Sequence, residues 1–283
     1  MRKHTMGLLA MAAASTLALS ACGGAEVGGE PDDGATDGGE TIRIGIKYDQ
    51  PGLGLQEGSE FTGFDTDVAR YVADKLGYSE DQIEWVETIS ANRETALQNN
   101  EVDMIFATYS INDERRGLVD FAGPYFVAGQ DLLVAADNTD ITGPEDLEGK
   151  NLCSVTGSTS AENIKNDHAE GVQLVERPGY ADCVTALASG AVDAVTTDDI
   201  ILAGLAATEQ NAGKFKVVGA PFSEENYGVG LPDGSTDRCE EVNTAITEMI
   251  EDGTWEELVA ANTEGADYTP NADLNPPELD ACE

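Results

Sequence analysis

Two arginines stand out in a chain that has few cations. Arg115 closes the stretch Ser110-Ile111-Asn112-Asp113-Glu114-Arg115, just after an apolar run. A guanidinium there offers a planar fork that meets a carboxylate with two parallel hydrogen bonds. The competing use is a surface ion pair with Asp113 or Glu114, which is worth little. Arg93 follows Ser90 by three residues, and Ser90 reads as a helix N-cap, so Arg93 falls in the first helical turn. A cation in that turn opposes the helix dipole, and an anion should compensate it: Glu87, Glu94 or a bound ligand. Gly157-Ser158-Thr159-Ser160 joins a predicted strand to a predicted helix. Thr159 with Glu162 reads as a capping box, and the free N–H groups of such a terminus also receive carboxylates. Asp198, at a strand end, suits a ligand ammonium or caps the helix that starts at Asp198-Asp199-Ile200.

This is the chemistry of recognition rather than of turnover. Only two histidines exist, His4 and His168, which leaves Ser–His hydrolysis and multi-histidine metal sites without parts. The phosphate-loop pattern is absent, since Gly143 to Gly149-Lys150 has the wrong spacing and ends in Asn151. No GxGxxG follows a strand, and the acidic stretch at 23–40 does not register as a calcium loop. No metal and no cofactor is expected. Fifteen basic against 54 acidic residues give a formal charge of -39. A field of that sign repels nucleic-acid phosphates and anionic lipid surfaces alike.

The elements that must position these residues alternate. Strands are predicted at Thr41–Tyr48, Ile83–Glu87, Val102–Thr108, Leu132–Ala136, Lys150–Val155, Val172–Glu176, Val192–Thr197, Phe215–Val218 and Tyr227–Leu231. Helices are predicted at Asp65–Leu76, Ala91–Asn99, Ser160–His168, Ala181–Ser189, Ile200–Asn211 and from Asp237 to Ala261. This rhythm implies α/β architecture, with parallel sheets covered by helices. An internal echo sharpens it. Thr95-Ala96-Leu97 leads into Glu101-Val102-Asp103, and ninety positions later Thr185-Ala186-Leu187 leads into Ala191-Val192-Asp193. Two lobes of similar build follow, in a chain of 283 residues that has room for both. Ligands of open α/β sheets sit at the carboxyl ends of strands, which nominates Thr108 and its counterpart Asp198 for a shared cleft.

The N-terminus reads as an address. Arg2 and Lys3 precede the apolar stretch from Gly7 to Leu19, which is too short to span a bilayer and fits a secretory signal. Its end, Leu19-Ser20-Ala21-Cys22-Gly23, resembles the lipobox of bacterial lipoproteins. The expectation is a signal peptide at 1–21, a lipidated Cys22, and a flexible acidic tether over 22–40. Four further cysteines remain: Cys153, Cys183, Cys239 and Cys282. They permit three pairings, among which sequence does not choose. The expected arrangement is Cys153–Cys183 within one lobe and Cys239–Cys282 holding the C-terminal tail.

Several motifs resemble the polar-amino-acid family of solute-binding proteins that serve ABC importers. Gly63-Phe64-Asp65-Thr66-Asp67-Val68-Ala69 is similar to one family signature, and Asp113-Glu114-Arg115 with Val119-Asp120-Phe121-Ala122-Gly123-Pro124-Tyr125 to another. Lys47 to Leu55, Ala107-Thr108-Tyr109-Ser110 and Leu152-Cys153-Ser154-Val155 resemble the lipid-anchored glutamate binders among them. The resemblance covers about Thr41 to Thr263. It implies a two-lobe, type II periplasmic-binding-protein-like fold, each lobe a mixed, mostly parallel sheet flanked by helices and joined to the other by two hinge strands. One lobe would comprise 41–125 with 228–283, and the other 126–227 with the hinge strands. It further implies that Arg115 grips a ligand α-carboxylate, aided by Thr159 and Ser158 from the other lobe. Asp198, Thr108 and Ser110 would hold the α-ammonium, while Arg93 and Lys47 favour an acidic side chain. Gln50 departs from the pattern, standing where an aromatic residue often covers the ligand. The implied partners are L-glutamate and the permease subunits of an importer. The protein would be a monomer, attached to the outer face of the cytoplasmic membrane by lipid alone. Binders of glutamine, aspartate or asparagine are the alternatives within the class, and a dehydratase-type enzyme on the same scaffold is the alternative outside it.

Overall fold

The computed structural model describes residues 40–168 and 171–282. The expected signal peptide at 1–21, Cys22 and the tether up to residue 39 lie outside the described residues. In chain order the strands are β1 (Ile42–Ile46), β2 (Asp49–Gln50), β3 (Gly54–Glu57), β4 (Glu60–Thr62), β5 (Ile83–Glu87), β6 (Met104–Phe106), β7 (Asp120–Ala128), β8 (Gln130–Ala135), β9 (Asn151–Val155), β10 (Gln173–Arg177), β11 (Ala194–Asp198), β12 (Phe215–Val217) and β13 (Glu225–Leu231). The helices are α1 (Phe64–Lys75), α2 (Arg93–Gln98), α3 (Asp113–Arg116), α4 (Thr159–Asp167), α5 (Tyr180–Ala188), α6 (Asp199–Ala207), α7 (Thr236–Glu251) and α8 (Thr254–Thr263).

Two five-stranded sheets share one plan. The first runs β5-β1-β6-β13-β7 and the second β10-β9-β11-β8-β12. In each, three parallel strands come first, one antiparallel strand (β13 or β8) follows, and an edge strand (β7 or β12) returns to the first direction. Four of the five strands in each sheet therefore run the same way, the mixed but mostly parallel arrangement expected. The reversed strand of the first sheet is β13, which brings the chain back from the second sheet antiparallel to the departing β7. The β7 strand was not legible in the sequence because Gly123-Pro124 reads as a turn. Proline is tolerated there because β7 lies at the sheet edge.

The ninety-residue echo is structural down to single hydrogen bonds. After α2, Asn100 N–H donates to Leu97 O and Glu101 N–H to Ala96 O; after α5, Gly190 N–H donates to Leu187 O and Ala191 N–H to Ala186 O. Asn100 and Gly190 both take positive φ, at 53° and 71°. Asp103 exchanges backbone and side-chain bonds with Arg43, and Asp193 does the same with Asn151. Central strands β6 and β11 are thereby launched identically, which places Thr108 and Asp198 at equivalent sheet edges.

Helices α1, α7 and α8 bury the first sheet through Phe64, Val68, Val72, Ile246, Met249 and Trp255. Trp255 Nε1 donates to Tyr125 O at 2.8 Å, tying α8 to the crossing strand β7. The helices expected from Asp237 to Ala261 are α7 and α8, separated at Gly253, which sits at φ 83° in the left-handed region. A small antiparallel sheet, β2-β3-β4, was not expected, because its short strands carry glycine and glutamate rather than an apolar alternation. It holds Gln50 in place. Among the described residues, no helix is long and apolar enough to cross a membrane.

Both disulfides pair as expected. Cys153–Cys183 ties β9 to α5, and Cys239–Cys282 fastens the C-terminal segment to α7. That segment braces the crossing strands: Asn275 exchanges two side-chain bonds with the backbone of Val127, and Asp280 N–H donates to Gly123 O. Each bridge closes a loop, of sequence separation 30 or 43. In the chain-entropy account a loop of that size contributes about 3–4 kcal/mol. Reduction should lower the melting temperature by on the order of 10 °C or more, while changing ligand affinity less than about threefold. Differential scanning fluorimetry and calorimetry, with and without reductant, check this; parallel loss of both would place a cysteine in the ligand site.

Candidate functional site

The eight residues singled out from sequence converge between the two sheets. Lys47, Arg93, Thr108, Ser110 and Arg115 come from the first-sheet lobe, and Ser158, Thr159 and Asp198 from the second. All but Thr159 are buried.

Arg115 is presented by the short helix α3, where Asn112 Oδ1 accepts from Arg115 N at 2.9 Å and caps the turn. Its guanidinium donates to Ser110 O at 2.6 Å and to Gly157 O at 3.1 Å. Arg93 starts α2 and donates to Ala107 O, Thr108 O and, at 3.2 Å, to the same Gly157 O. Two guanidiniums from one lobe thus reach one carbonyl of the other. Gly157, in the β9–α4 turn, has φ 77°, and a Cβ there would lie 2.8 Å from Ala91 Cα across the crevice. Ser110 Oγ and Thr159 Oγ1 meet at 3.3 Å, a second bridge between lobes.

Three expectations about local partners are corrected. Ser90 does not cap a helix: its Oγ accepts from Lys47 Nζ at 2.8 Å and so serves a buried ammonium instead. Thr159 does not form a capping box with Glu162; Ser158 is the N-cap of α4, accepting from Ala161 N at 3.0 Å, and this leaves the Thr159 hydroxyl facing Ser110. Glu94 pairs with Arg115 at 3.3 Å rather than compensating Arg93 by an ion pair, and neither Asp113 nor Glu114 takes Arg115. The two Nη atoms of Arg93 donate to carbonyl oxygens instead, and its Nε has no partner.

Asp198 ends β11 and accepts from Tyr227 OH at 2.6 Å and Ser160 Oγ at 3.4 Å. Thr108 sits at φ 44°, with its N–H on Asp65 Oδ2 at 2.8 Å and its hydroxyl on Gln50 Oε1 at 3.3 Å. Gln50, which stands where an aromatic residue often covers the ligand, is buried beside Thr108. A cavity of about 260 Å³ adjoins the crevice, lined in part by Lys47, Gln50, Glu87, Val155 and Tyr180.

The electrostatics favour an anion among the cations and a cation at Asp198. Burial and then Arg115 bring the Arg93 guanidinium down to about 10. Burial and then Arg93 push the Lys47 ammonium well below its usual range. Burial and then Glu225 push the Asp198 carboxyl well up. Each shift reports a charge that would be relieved by an opposite one nearby. Among the described residues, the buried side-chain polar atoms without a partner are Gln50 Nε2, Arg93 Nε and Thr197 Oγ1, and all three belong to elements that flank the crevice. Unpaired buried polar atoms are costly, and their clustering points to a polar ligand.

Burial also raises Asp65 to about 6 and Asp199 to about 6. Their folded values exceed the usual 3.8, so the stability they contribute is complete below about 3.8 and lost as pH rises through about 6. Relief of the chain's negative self-repulsion acts in the same direction. The melting temperature should therefore rise as pH falls from 7 to about 5, and a flat or falling profile would contradict these assignments.

The sequence pattern of the bacterial extracellular solute-binding proteins, family 3, matches residues 42–263. The chain belongs to that family. Within and around it, the protein is 46% identical over 269 residues to the glutamate-binding protein GluB of Corynebacterium efficiens, covering 90% of each chain. It is 34% identical over 266 residues to the glutamine-binding protein GlnH of the Bacillus subtilis ABC transporter, covering 90% of this chain and 96% of that one. Among solved structures, the GluR0 ligand-binding core of Nostoc punctiforme in complex with L-glutamate superposes with a TM-score of 0.68 at 29% identity, over 78% of this chain and 98% of that one. Family membership accounts for the doubled α/β plan and for a polar crevice between lobes. It makes this protein an extracellular solute-binding protein.

Proposed function

We propose that the protein captures L-glutamate between its lobes and delivers it to the permease subunits of an ABC importer. One observation carries the reading: Arg93 and Arg115, both buried, converge from one lobe on Gly157 O of the other. In the complex, ligand carboxylates take over from that carbonyl as acceptors. Arg115, with Ser158 and Thr159 at the start of α4, takes the α-carboxylate; Asp198, Thr108 and Ser110 take the α-ammonium; Arg93 and Lys47 take the side-chain carboxylate. The lobes, 41–125 with 228–283 and 126–227, close over the ligand about the crossing strands, and closure is the signal a permease reads.

At a formal charge of -39, long-range attraction cannot recruit an anionic amino acid. Affinity has to come from short, dry, charge-assisted bonds of about 1.5–3 kcal/mol each, and micromolar binding requires about 8 kcal/mol. The family relatives bear binding-protein names, and the crevice serves binding without turnover. The mature chain acts as a monomer, held at the outer face of the cytoplasmic membrane by lipid on Cys22.

Isothermal calorimetry with the twenty amino acids tests the ligand. Glutamate should bind at least tenfold more tightly than glutamine, aspartate or asparagine. Glutamine binding as well as glutamate would remove the assigned role of Arg93. Mass spectrometry of the membrane-extracted protein tests the lipid on Cys22.

A further inference from the structure

Both guanidiniums rest on a single aromatic ring. The Arg93 Cζ lies 4.1 Å from the Tyr109 ring centroid and the Arg115 Cζ 5.1 Å from it. The Tyr109 hydroxyl donates to Glu94 Oε1 at 2.7 Å, and the same oxygen faces Arg115 Nε at 3.3 Å. A cation over an aromatic ring is attracted by the ring quadrupole, and more so where water is excluded. Tyr109 is fully buried, and burial holds its hydroxyl protonated far above the ordinary range, so the ring stays a neutral phenol.

The fold makes specific room for this ring. Thr108, just before it, occupies the left-handed region at φ 44°, where a β-branched residue is strained. On β13, a Cβ at Gly230 would fall 2.7 Å from Tyr109 Cε1 and 2.9 Å from its Cδ1. Phe121 makes a T-shaped contact with the ring, with centroids 4.8 Å apart. The ring therefore cannot shift toward the sheet, and a side chain at 230 would drive it into the arginines.

Without such a support two buried guanidiniums would repel and diverge. The ring and the carboxylate of Glu94 draw both toward one place and leave the Arg93–Arg115–Glu94 group with one net positive charge. A ligand with two carboxylates and one ammonium carries the complementary charge, and its carboxylates need two forks held at a set separation.

We propose that Tyr109 and Glu94 are positioning residues that hold Arg93 and Arg115 as a paired clamp, so that Tyr109 sets the preference for a dicarboxylic over an amide amino acid. This rests on the glutamate reading above.

The test titrates L-glutamate and L-glutamine into the wild type, Tyr109→Phe, Tyr109→Leu, Glu94→Gln and Gly230→Ala, with thermal melting of each. Tyr109→Leu should weaken glutamate binding about thirtyfold and cut the glutamate-to-glutamine ratio about tenfold, whereas Tyr109→Phe, which keeps the ring, should hold that ratio within about threefold. Gly230→Ala should behave like Tyr109→Leu, since it displaces the ring without removing it, and Glu94→Gln should lower the ratio by a smaller factor. A general loss of stability would not move the ratio. Tyr109→Leu and Gly230→Ala variants that keep the wild-type ratio overturn the proposal; if Tyr109→Leu does not fold, Gly230→Ala and Glu94→Gln decide. A wild type that binds both ligands equally overturns the glutamate reading instead. The clamp is then judged by whether Tyr109→Leu costs both ligands at least tenfold, and no loss overturns it.

Discussion

Replacing Arg115 by alanine should abolish binding of every amino acid the wild type takes. The guanidinium is buried and donates to both sides of the crevice, to Ser110 O and to Gly157 O. Its removal takes away the fork assigned to the α-carboxylate, a group common to all these ligands. It also leaves Glu94 without its cation. Truncating one partner of a buried charged pair costs about 3–5 kcal/mol, about two to three and a half powers of ten in affinity. Arg93→Ala supplies the contrast, with glutamate losing about thirtyfold or more and glutamine changing within about threefold. Calorimetry on the two variants reads the difference directly, and thermal melting shows that both are folded. Normal glutamate binding by both would mean that the crevice is not the ligand site.

A methyl group at residue 157 should be nearly as damaging, for a steric reason. Gly157 occupies φ 77°, which costs an L residue about 1 kcal/mol or more. The added Cβ would lie 2.8 Å from Ala91 Cα and 3.1 Å from Ser90 C, and these are backbone atoms that cannot swing aside. The lobes would have to part, carrying the start of α4 and Thr159 away from Arg115 and Ser110. Gly157→Ala should lower glutamate affinity about a hundredfold while shifting the melting temperature by only a few degrees, because each lobe keeps its own core. Small-angle scattering with saturating glutamate should show a smaller compaction than in the wild type. Wild-type affinity in Gly157→Ala would show that close approach of the lobes at this point is not part of binding.

The C-terminal brace is placed to stabilise the crossing strands rather than the ligand. Asn275 bonds the backbone of β7 at Val127, and Cys282 anchors the segment to Cys239. Tyr268 reaches Asp199 at the start of α6, immediately after Asp198. Loss of the Cys239–Cys282 bridge is therefore expected mainly in stability, as set out with the fold.

Much was determined locally and could be read from sequence. Apolar periodicity placed most strands and helices, because a strand or helix face must be buried whatever it packs against. The Thr-Ala-Leu echo reported two lobes, because the same turn chemistry launches the same central strand. The scarcity of cations drew attention to Arg93 and Arg115, because a strongly acidic chain has few other means of holding an anion. What only the tertiary structure decided is which groups meet. Strand β7 was hidden behind Gly123-Pro124, since edge position, not composition, makes proline tolerable there. Ser90 left its capping role for Lys47, Glu94 went to Arg115, and Ser158 took the cap expected of Thr159. Tyr109 gave no sign of carrying two guanidiniums. Hydrogen-bond partners and ring contacts are chosen by distances across residues far apart in the chain, and one sequence contains no record of those distances.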